Sequence, residues 1–319
     1  GRAYAHQHAA DLGLPADVRH WSDTDALRAL LRNGGDAVGN LLLGDLARDR
    51  FVNAPAPVVV DFNDYPRLAA QALSVGDTWS SAAGEQPKFC AYGGKGHVLV
   101  KFTVPADNAI AARWRDLLLA EHLALETLAA GGVSAAFSRV VDVGAQRFLE
   151  LQRFDRVGAL GRHALLSLAA LDGEFVGNAI APWPVVTAEL ARQKTITAQA
   201  HADATLLFAF GTLIGNTDMH AGNLSFVGDQ GRPYVLSPAY DMLPMAFAPR
   251  NSGEIPASLP AAGFDSQIST EQWREALALA LSYLGRLNNE PGFNTGFGEC
   301  LAALERHLQT ATERIGRLG

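Results

Sequence analysis

The run Gly215-Asn216-Thr217-Asp218-Met219-His220-Ala221-Gly222-Asn223 sets an aspartate and an asparagine at D-x-x-x-x-N spacing in a polar loop. A further acid follows in Pro238-Ala239-Tyr240-Asp241-Met242. Moving a γ-phosphoryl group asks a protein for a carboxylate that orients the attacking hydroxyl and accepts its proton. It also asks for hard oxygen ligands that hold Mg²⁺ on the phosphates. Asp218, Asn223 and Asp241 supply that set, in the spacing of a kinase catalytic loop and the metal aspartate beyond it. On this ground the chain is a phosphotransferase candidate.

Spacing alone is weak, because Asp and Asn are common loop formers. The flanks strengthen it. Leu206 to Ile214 reads as an apolar helix that stops at Gly215-Asn216. After the loop come a short strand (Leu224 to Phe226), a turn at Gly228-Asp229-Gln230-Gly231 and a second strand (Pro233 to Leu236). Asp241 lies just past that hairpin. Helix, loop, hairpin and aspartate is the order of a kinase C-lobe.

The 319 residues are 48% hydrophobic and 18% charged, enough for a large core in one or two domains. A net charge of −7 without a long basic run makes direct nucleic-acid binding an unfavoured expectation. Cys90 and Cys300 make neither a disulfide framework nor a zinc cluster, which suits a reducing cytoplasm. No apolar run has the roughly 18 residues of a membrane span, and no signal peptide is visible. The chain opens Gly1-Arg2 without methionine, which reads as a processed or truncated start.

Residues 1 to 75 read as mixed and mostly helical, with a helix over Asp23 to Arg32 capped at Ser22-Asp23 and short strands over Gly39 to Leu46 and Val58 to Val60. Lys88 to Tyr92 and His97 to Phe102, joined by Gly93-Gly94-Lys95-Gly96, predict a hairpin. Ala109 to Ala130 predicts a long helix closed by Gly131-Gly132. Strands are expected over Ser138 to Val143 and Arg147 to Leu151, and helices over Ala198 to Ile214, Thr270 to Leu287 and Gly296 to Leu318. The expected fold class is α+β and two-lobed: a β-rich N-terminal lobe over 1–155 and a mainly helical C-terminal lobe over 156–319.

Each remaining piece of chemistry has a plain alternative. Ser80-Ser81-Ala82-Ala83-Gly84-Glu85-Gln86-Pro87-Lys88 has the small residues of a phosphate-approaching loop but is not a Walker A sequence, and Pro87 lacks an N–H to donate. By itself it reads as an ordinary loop. Lys101, ending Val98-Leu99-Val100-Lys101-Phe102, is either a cleft lysine for the α and β phosphates or an exposed edge-strand lysine. Gln152-Arg153-Phe154-Asp155-Arg156 is either an adenine-reading hinge or a surface loop. His220 either orients Asp218 and touches phosphate or hydrogen-bonds the loop. Phe247 to Phe264 reads as a non-helical segment that shapes a substrate site, or as a bland connection. H-E-x-x-H, G-x-S-x-G, C-x-x-C and Rossmann patterns are missing from the sequence.

Together, Ser81 to Lys88, Val100-Lys101, Arg153-Phe154-Asp155-Arg156, Asn216 to Asn223 and Tyr240-Asp241 resemble the HipA family of bacterial toxin kinases, from about residue 25 to the C-terminus. Within that family the chain is most similar to the YjjJ (HipH) branch, whose members carry an extra N-terminal DNA-binding-like region expected to be lacking here. The resemblance implies a serine/threonine protein kinase using ATP and Mg²⁺, with Asp218 as catalytic base and Asn223 and Asp241 holding metal. It implies nucleotide contacts from Ala83, Gly84, Glu85, Gln86, Lys88, Lys101, Gln152, Phe154, His220, Asn223, Tyr240 and Asp241, and autophosphorylation on Ser81. Gln152 stands where the family has a glutamate. Arg113 stands where a glutamate partner for Lys101 would align, leaving Asp116 or Glu121 as the partner. Family substrates include aminoacyl-tRNA synthetases, and a HipB-like DNA-binding antitoxin is the implied restraining partner. The alternatives are a small-molecule or lipid kinase, which net charge −7 disfavours as a membrane-surface enzyme, and a regulatory kinase-fold module without turnover.

Overall fold

The computed structural model describes residues 20–74 and 86–318, together with Ala9, residues 11–15 and Asp17. The expected phosphate-loop residues Ser81, Ala83, Gly84 and Glu85 lie outside the described residues.

Helix α1 (Asp23–Asn33) begins at Ser22, whose hydroxyl accepts from the Asp25 amide while the Asp25 carboxylate accepts from Ser22 N–H, a reciprocal cap. The strand expected over Gly39 to Leu46 does not form. Residues 41–43 lead into helix α2 (Gly44–Val52), and Gly39, at φ 85°, packs against the backbone of Leu165. The apolar run there looked strand-like, but no strand among the described residues pairs with it. Val58 to Val60 contributes one parallel bridge, Val59 to Tyr92, with Val60 N–H donating to Tyr92 O at 2.8 Å.

Helix α3 (Tyr65–Ser74) lies on a four-stranded antiparallel sheet. Its strands are β1 (Lys88–Gly93), β2 (Gly96–Phe102), β3 (Ser138–Val143) and β4 (Gln146–Gln152), in the order β1-β2-β4-β3. The long helix α4 (Ala109–Ala130) covers the other face. Alternation along the inner strand β4 sorts its side chains. Phe148 faces α3 with Tyr65, Val98, Val100 and Phe102, while Leu149 and Leu151 join the main core beneath α4. Glu150, on the α3 side, accepts from Tyr65 Oη and from Arg139.

After the sheet come the short pair β5 (Arg156–Val157) and β6 (Gly161–Arg162), then β7 (Leu165–Ser167). Helices α5 (Leu168–Phe175), α6 (Trp183–Arg192) and α7 (Ala198–Ile214) follow. The expected hairpin is realised as β8 (Ser225–Val227) and β9 (Val235–Leu236), with β7 as an unforeseen third strand in the order β7-β8-β9. The chain finishes with α8 (Thr270–Asn289) and α9 (Gly298–Gly316). The C-terminal half of helix α7 is apolar on every face because α6, α8 and α9 pack around it, and Phe210, Leu213 and Ile214 are completely buried. Each such side chain contributes roughly 1.5–3 kcal/mol. Gly215 ends α7 in the left-handed conformation, φ 77°, and turns the chain into the polar loop.

Candidate active site

Four pieces of chain converge between the sheet and the helical lobe: β2 and β1, helix α4, the loop after α7, and the turn after β9. Lys101 lies on β2, an interior strand, and is 5% exposed, so it is not an edge-strand lysine. Its ammonium donates to Glu121 Oε1 and Oε2 at 2.6 and 2.8 Å and to Asp241 Oδ1. Of the two open candidates, Glu121 is therefore the partner. Asp116 instead accepts from the Asn294 backbone and side-chain nitrogens, both at 2.9 Å. Arg113 points to the segment after Asp241 and donates to Phe247 O and Pro256 O at 2.9 and 2.5 Å.

Burial acts against the charge on all three groups of the Lys101 cluster, and the outcome differs for each. Burial would lower Lys101, but Asp241 and Glu121 outweigh it and hold the ammonium protonated, with its pKa raised. Burial pushes Glu121 up despite Lys101. Burial would also raise Asp241, yet Lys101, Lys88 and His220 together keep its carboxyl below the usual range. Lys88 stands directly across the β1–β2 ladder from Lys101, so both side chains share a face and Lys88 adds a second cation.

Asp241 has φ 53°, a left-handed conformation that costs a non-glycine residue about 1–3 kcal/mol. Asn216 holds it there. The Asn216 amide nitrogen donates to Asp241 O at 3.2 Å, and its oxygen accepts from Asp218 N–H at 3.1 Å. One buried side chain thus ties the catalytic-type loop to the aspartate turn. From sequence Asn216 reads as a helix stop and as part of the motif that carries the family resemblance, with no bracing role; an amide immediately after a left-handed glycine, two residues before the acid, was the available signal.

Asp218 sits beside an open cavity of about 460 Å³ lined by residues 216–220, with a side chain 54% exposed. Partial burial raises its pKa, against the opposing pull of His220. Asn223 donates through its amide nitrogen to Asp218 O at 2.9 Å, which leaves the amide oxygen as the atom it offers a cation. His220 Nδ1 accepts from Gly222 N–H at 3.0 Å, and Nε2 lies 3.9 Å from Asp218 Oδ1, beyond hydrogen-bond reach. Geometry therefore gives His220 a loop-bracing contact together with an electrostatic one. Tyr240 Oη pairs with Ser225 Oγ at 2.7 Å and donates to Gly222 O at 3.2 Å, and its ring packs against Phe154 at 5.7 Å, tilted by 36°.

The segment Gln152 to Arg156 is not a bland surface loop. Arg153 and Arg156 are buried and share Asp155, and both reach back to Asp36 at 2.7 and 2.9 Å. Gly39 N–H donates to Asp155 at 3.1 Å and Arg156 donates to Ala37 O at 2.8 Å. Residues 35–39 thus brace the crossover from behind. Gln152 is exposed, and its N–H donates to Phe137 O at 2.8 Å. Gln86, just inside the described residues, donates to Phe102 O.

For a divalent cation, the donor set is one ionised carboxylate and one amide oxygen, both hard, and nucleotide phosphates and water would complete six ligands. Among the described residues there is no group of three or more His, Cys, Asp or Glu that would cage a metal alone. The residues fit Mg²⁺ arriving with a nucleotide.

A β-rich lobe and a helical lobe meeting at a Lys–Glu pair, a loop aspartate and a turn aspartate define a two-lobed, kinase-like α+β fold. Comparison with known proteins narrows this. Residues 80–308 match the model of the HipA-like C-terminal domain, and residues 1–52 match the YjjJ-like toxin, middle domain. The chain is 38% identical over 328 residues to Toxin YjjJ of Escherichia coli (strain K12), spanning 100% of this chain and 74% of that protein. The chain belongs to the HipA family, in its YjjJ branch. Among solved structures it resembles HipA of Shewanella oneidensis MR-1, solved with HipB and operator DNA. That match has TM-score 0.57 and 16% identity over 93% of this chain and 81% of that one, a likeness of fold. No described helix is long and apolar enough to cross a membrane.

Proposed function

We propose that the chain is an ATP- and Mg²⁺-dependent serine/threonine protein kinase that modifies a host protein. The observation that carries the reading is the Lys101 ammonium, held by Glu121 and shared with Asp241, close enough to Asp218 that both act on its carboxyl. In this reading Lys101 neutralises phosphate charge and Glu121 keeps it aimed. Asp218 orients the acceptor hydroxyl and takes its proton, which requires it to be ionised at working pH. Asn216 keeps Asp218 and Asp241 in register. Asn223 and Asp241 would hold Mg²⁺, which supplies charge neutralisation at the β and γ phosphates. Phe154 and Tyr240 would wall the base side of the nucleotide, with Gln152 at its rim and residues Ala83 to Lys88 near the phosphates.

The proposed acceptor includes Ser81 of the chain itself and, in the cell, a translation factor or aminoacyl-tRNA synthetase. A HipB-like DNA-binding protein is the proposed restraining partner, and cytoplasm the proposed compartment. The test is incubation with Mg²⁺ and γ-labelled ATP beside Asp218→Asn, with mass-spectrometric mapping. Label on Ser81 that vanishes in the variant supports a self-modifying protein kinase. Nucleotide binding without label on protein would turn the reading to a small-molecule kinase or a regulatory module.

A further inference from the structure

A second cleft, about 350 Å³, lies between the segment 258–264 and one face of α9. Arg306, His307, Thr310 and Arg314 recur at helical spacing along that face. None of the lining residues carries a carboxylate. Arg314 donates to Ala262 O at 2.9 Å and stacks over Phe264 at 4.3 Å, so it helps build the opposite wall. Arg306 has no ion-pair partner among the described residues, and His307 Nε2 has no hydrogen-bond partner there. The cleft therefore presents unspent donors and positive charge in a chain of net −7. Asp265, Glu305 and Glu313 adjoin lining residues in sequence but do not line the cleft, so the two guanidiniums are the charged groups a ligand meets at contact range.

The cleft is joined to the catalytic-type loop. Leu259, on its wall, packs directly against Gly215, the residue that turns α7 into the Asn216–Asn223 loop. Ala246 N–H donates to Gly215 O at 3.0 Å, and Arg113 pins Phe247 O and Pro256 O, so the whole 246–259 segment is tied to that loop and to α4.

We propose that this cleft is a substrate-docking subsite that takes an acidic side chain of the protein acceptor, near the residue presented to Asp218. The identity of the occupant rests on the protein-kinase reading above; the anion preference rests on the cleft. Carboxylate and phosphoryl groups share the required chemistry, as both accept from a planar guanidinium.

The test uses the full chain and fluorescein-labelled serine-centred peptides whose flanking residues are glutamate, lysine or phosphoserine, read by fluorescence anisotropy, with a short RNA as competitor. The expected result is about tenfold tighter binding of the glutamate peptide than of the lysine peptide, the size of two modest guanidinium–carboxylate contacts. Arg306→Glu should erase the preference, and Thr310→Glu, a second route to a carboxylate in the cleft, should do the same. Arg274→Glu, on the exposed side of α8, should retain it. A phosphoserine peptide that binds while the glutamate peptide shows no preference over lysine would overturn the acidic side chain as the occupant. Equal affinities for glutamate and lysine peptides, an equal loss in Arg274→Glu, or RNA displacing the peptide at matching affinity would overturn the proposal. Transfer of γ-label to the same peptides is scored separately. Preference without transfer retires the kinase reading and keeps the anion subsite, whereas transfer without preference retires the subsite alone.

Discussion

Lys101 spends its N–H donors on two oxygens of Glu121 and one of Asp241, and the three side chains sum to a single negative charge. In the proposed reaction phosphate oxygens would compete with Asp241 for that ammonium, and the displaced carboxylate would be free for a cation. Removing the lysine alone strands Glu121, which is completely buried. Lys101→Met is expected to abolish transfer and to cost about 3–5 kcal/mol in urea unfolding at neutral pH. Lys101→Met with Glu121→Gln should recover most of that stability and none of the transfer. An equally unstable double variant would mean the pair is not the source of the loss. Asp218 gives a kinetic expectation. As the proposed general base it would work deprotonated, and partial burial raises its pKa, so the acidic limb of kcat/KM should titrate above the usual carboxylate range. His220 opposes that rise, so His220→Asn should move the limb further up in pH. A limb moving down would contradict the electrostatic role.

At the scale of elements, the crossover is held by charge rather than by apolar packing. Arg156 is 3% exposed and Asp155 7%, and the 35–39 segment completes their bonds. Arg156→Leu removes one of the two guanidiniums that share Asp155, leaving Arg153 and the Gly39 amide on it, and is expected to destabilise by roughly 1.5–3 kcal/mol. For Asp155, burial favours the neutral acid, but Arg153, Arg156 and the Gly39 amide overcome it and lower the pKa. A lowered folded pKa means the contribution is present above the unfolded value of 3.8 and is lost as pH falls through the folded value. Urea midpoints of the wild type should therefore decline below about pH 4 more steeply than those of Asp155→Asn. The elements themselves were largely legible: Ala109 to Ala130 and Ala198 to Ile214 have the expected bounds because apolar spacing and terminal glycines mark them. The partner of Lys101 was not. Asp116 and Glu121 differ by about 140° around a helix, and only the rotation of α4 against the sheet selects one. Strand β7 and the brace at 35–39 were equally hidden, since three residues or fewer carry each contact and the partners lie far along the chain.

Across the whole molecule, the core decides how the lobes respond to a ligand. Leu149 and Leu151 of the sheet share one continuous cluster with α4, α7, α8 and α9, while only a small satellite lies under α3. The sheet therefore cannot unfold without exposing the apolar face of α4, and the helical lobe loses part of its core if α4 leaves. Differential scanning calorimetry is expected to show one cooperative transition, with van't Hoff and calorimetric enthalpies in agreement. Two resolved transitions would instead place the lobe boundary through the core. Because Lys101 and Glu121 come from the sheet and α4, and Asp218, Asn223 and Asp241 from the loops after α7 and β9, a nucleotide bound with Mg²⁺ as proposed would engage both sets and should move that single transition as a unit. At a hundredfold excess over Kd the gain is about 2.7 kcal/mol, a rise of about 5 °C for a chain of this size. Omitting Mg²⁺ or introducing Asp241→Asn should remove most of the rise, since the two tests withdraw the cation and its charged ligand in turn. A full shift in Asp241→Asn would mean the nucleotide is held without that aspartate, and the metal assignment would fall with it.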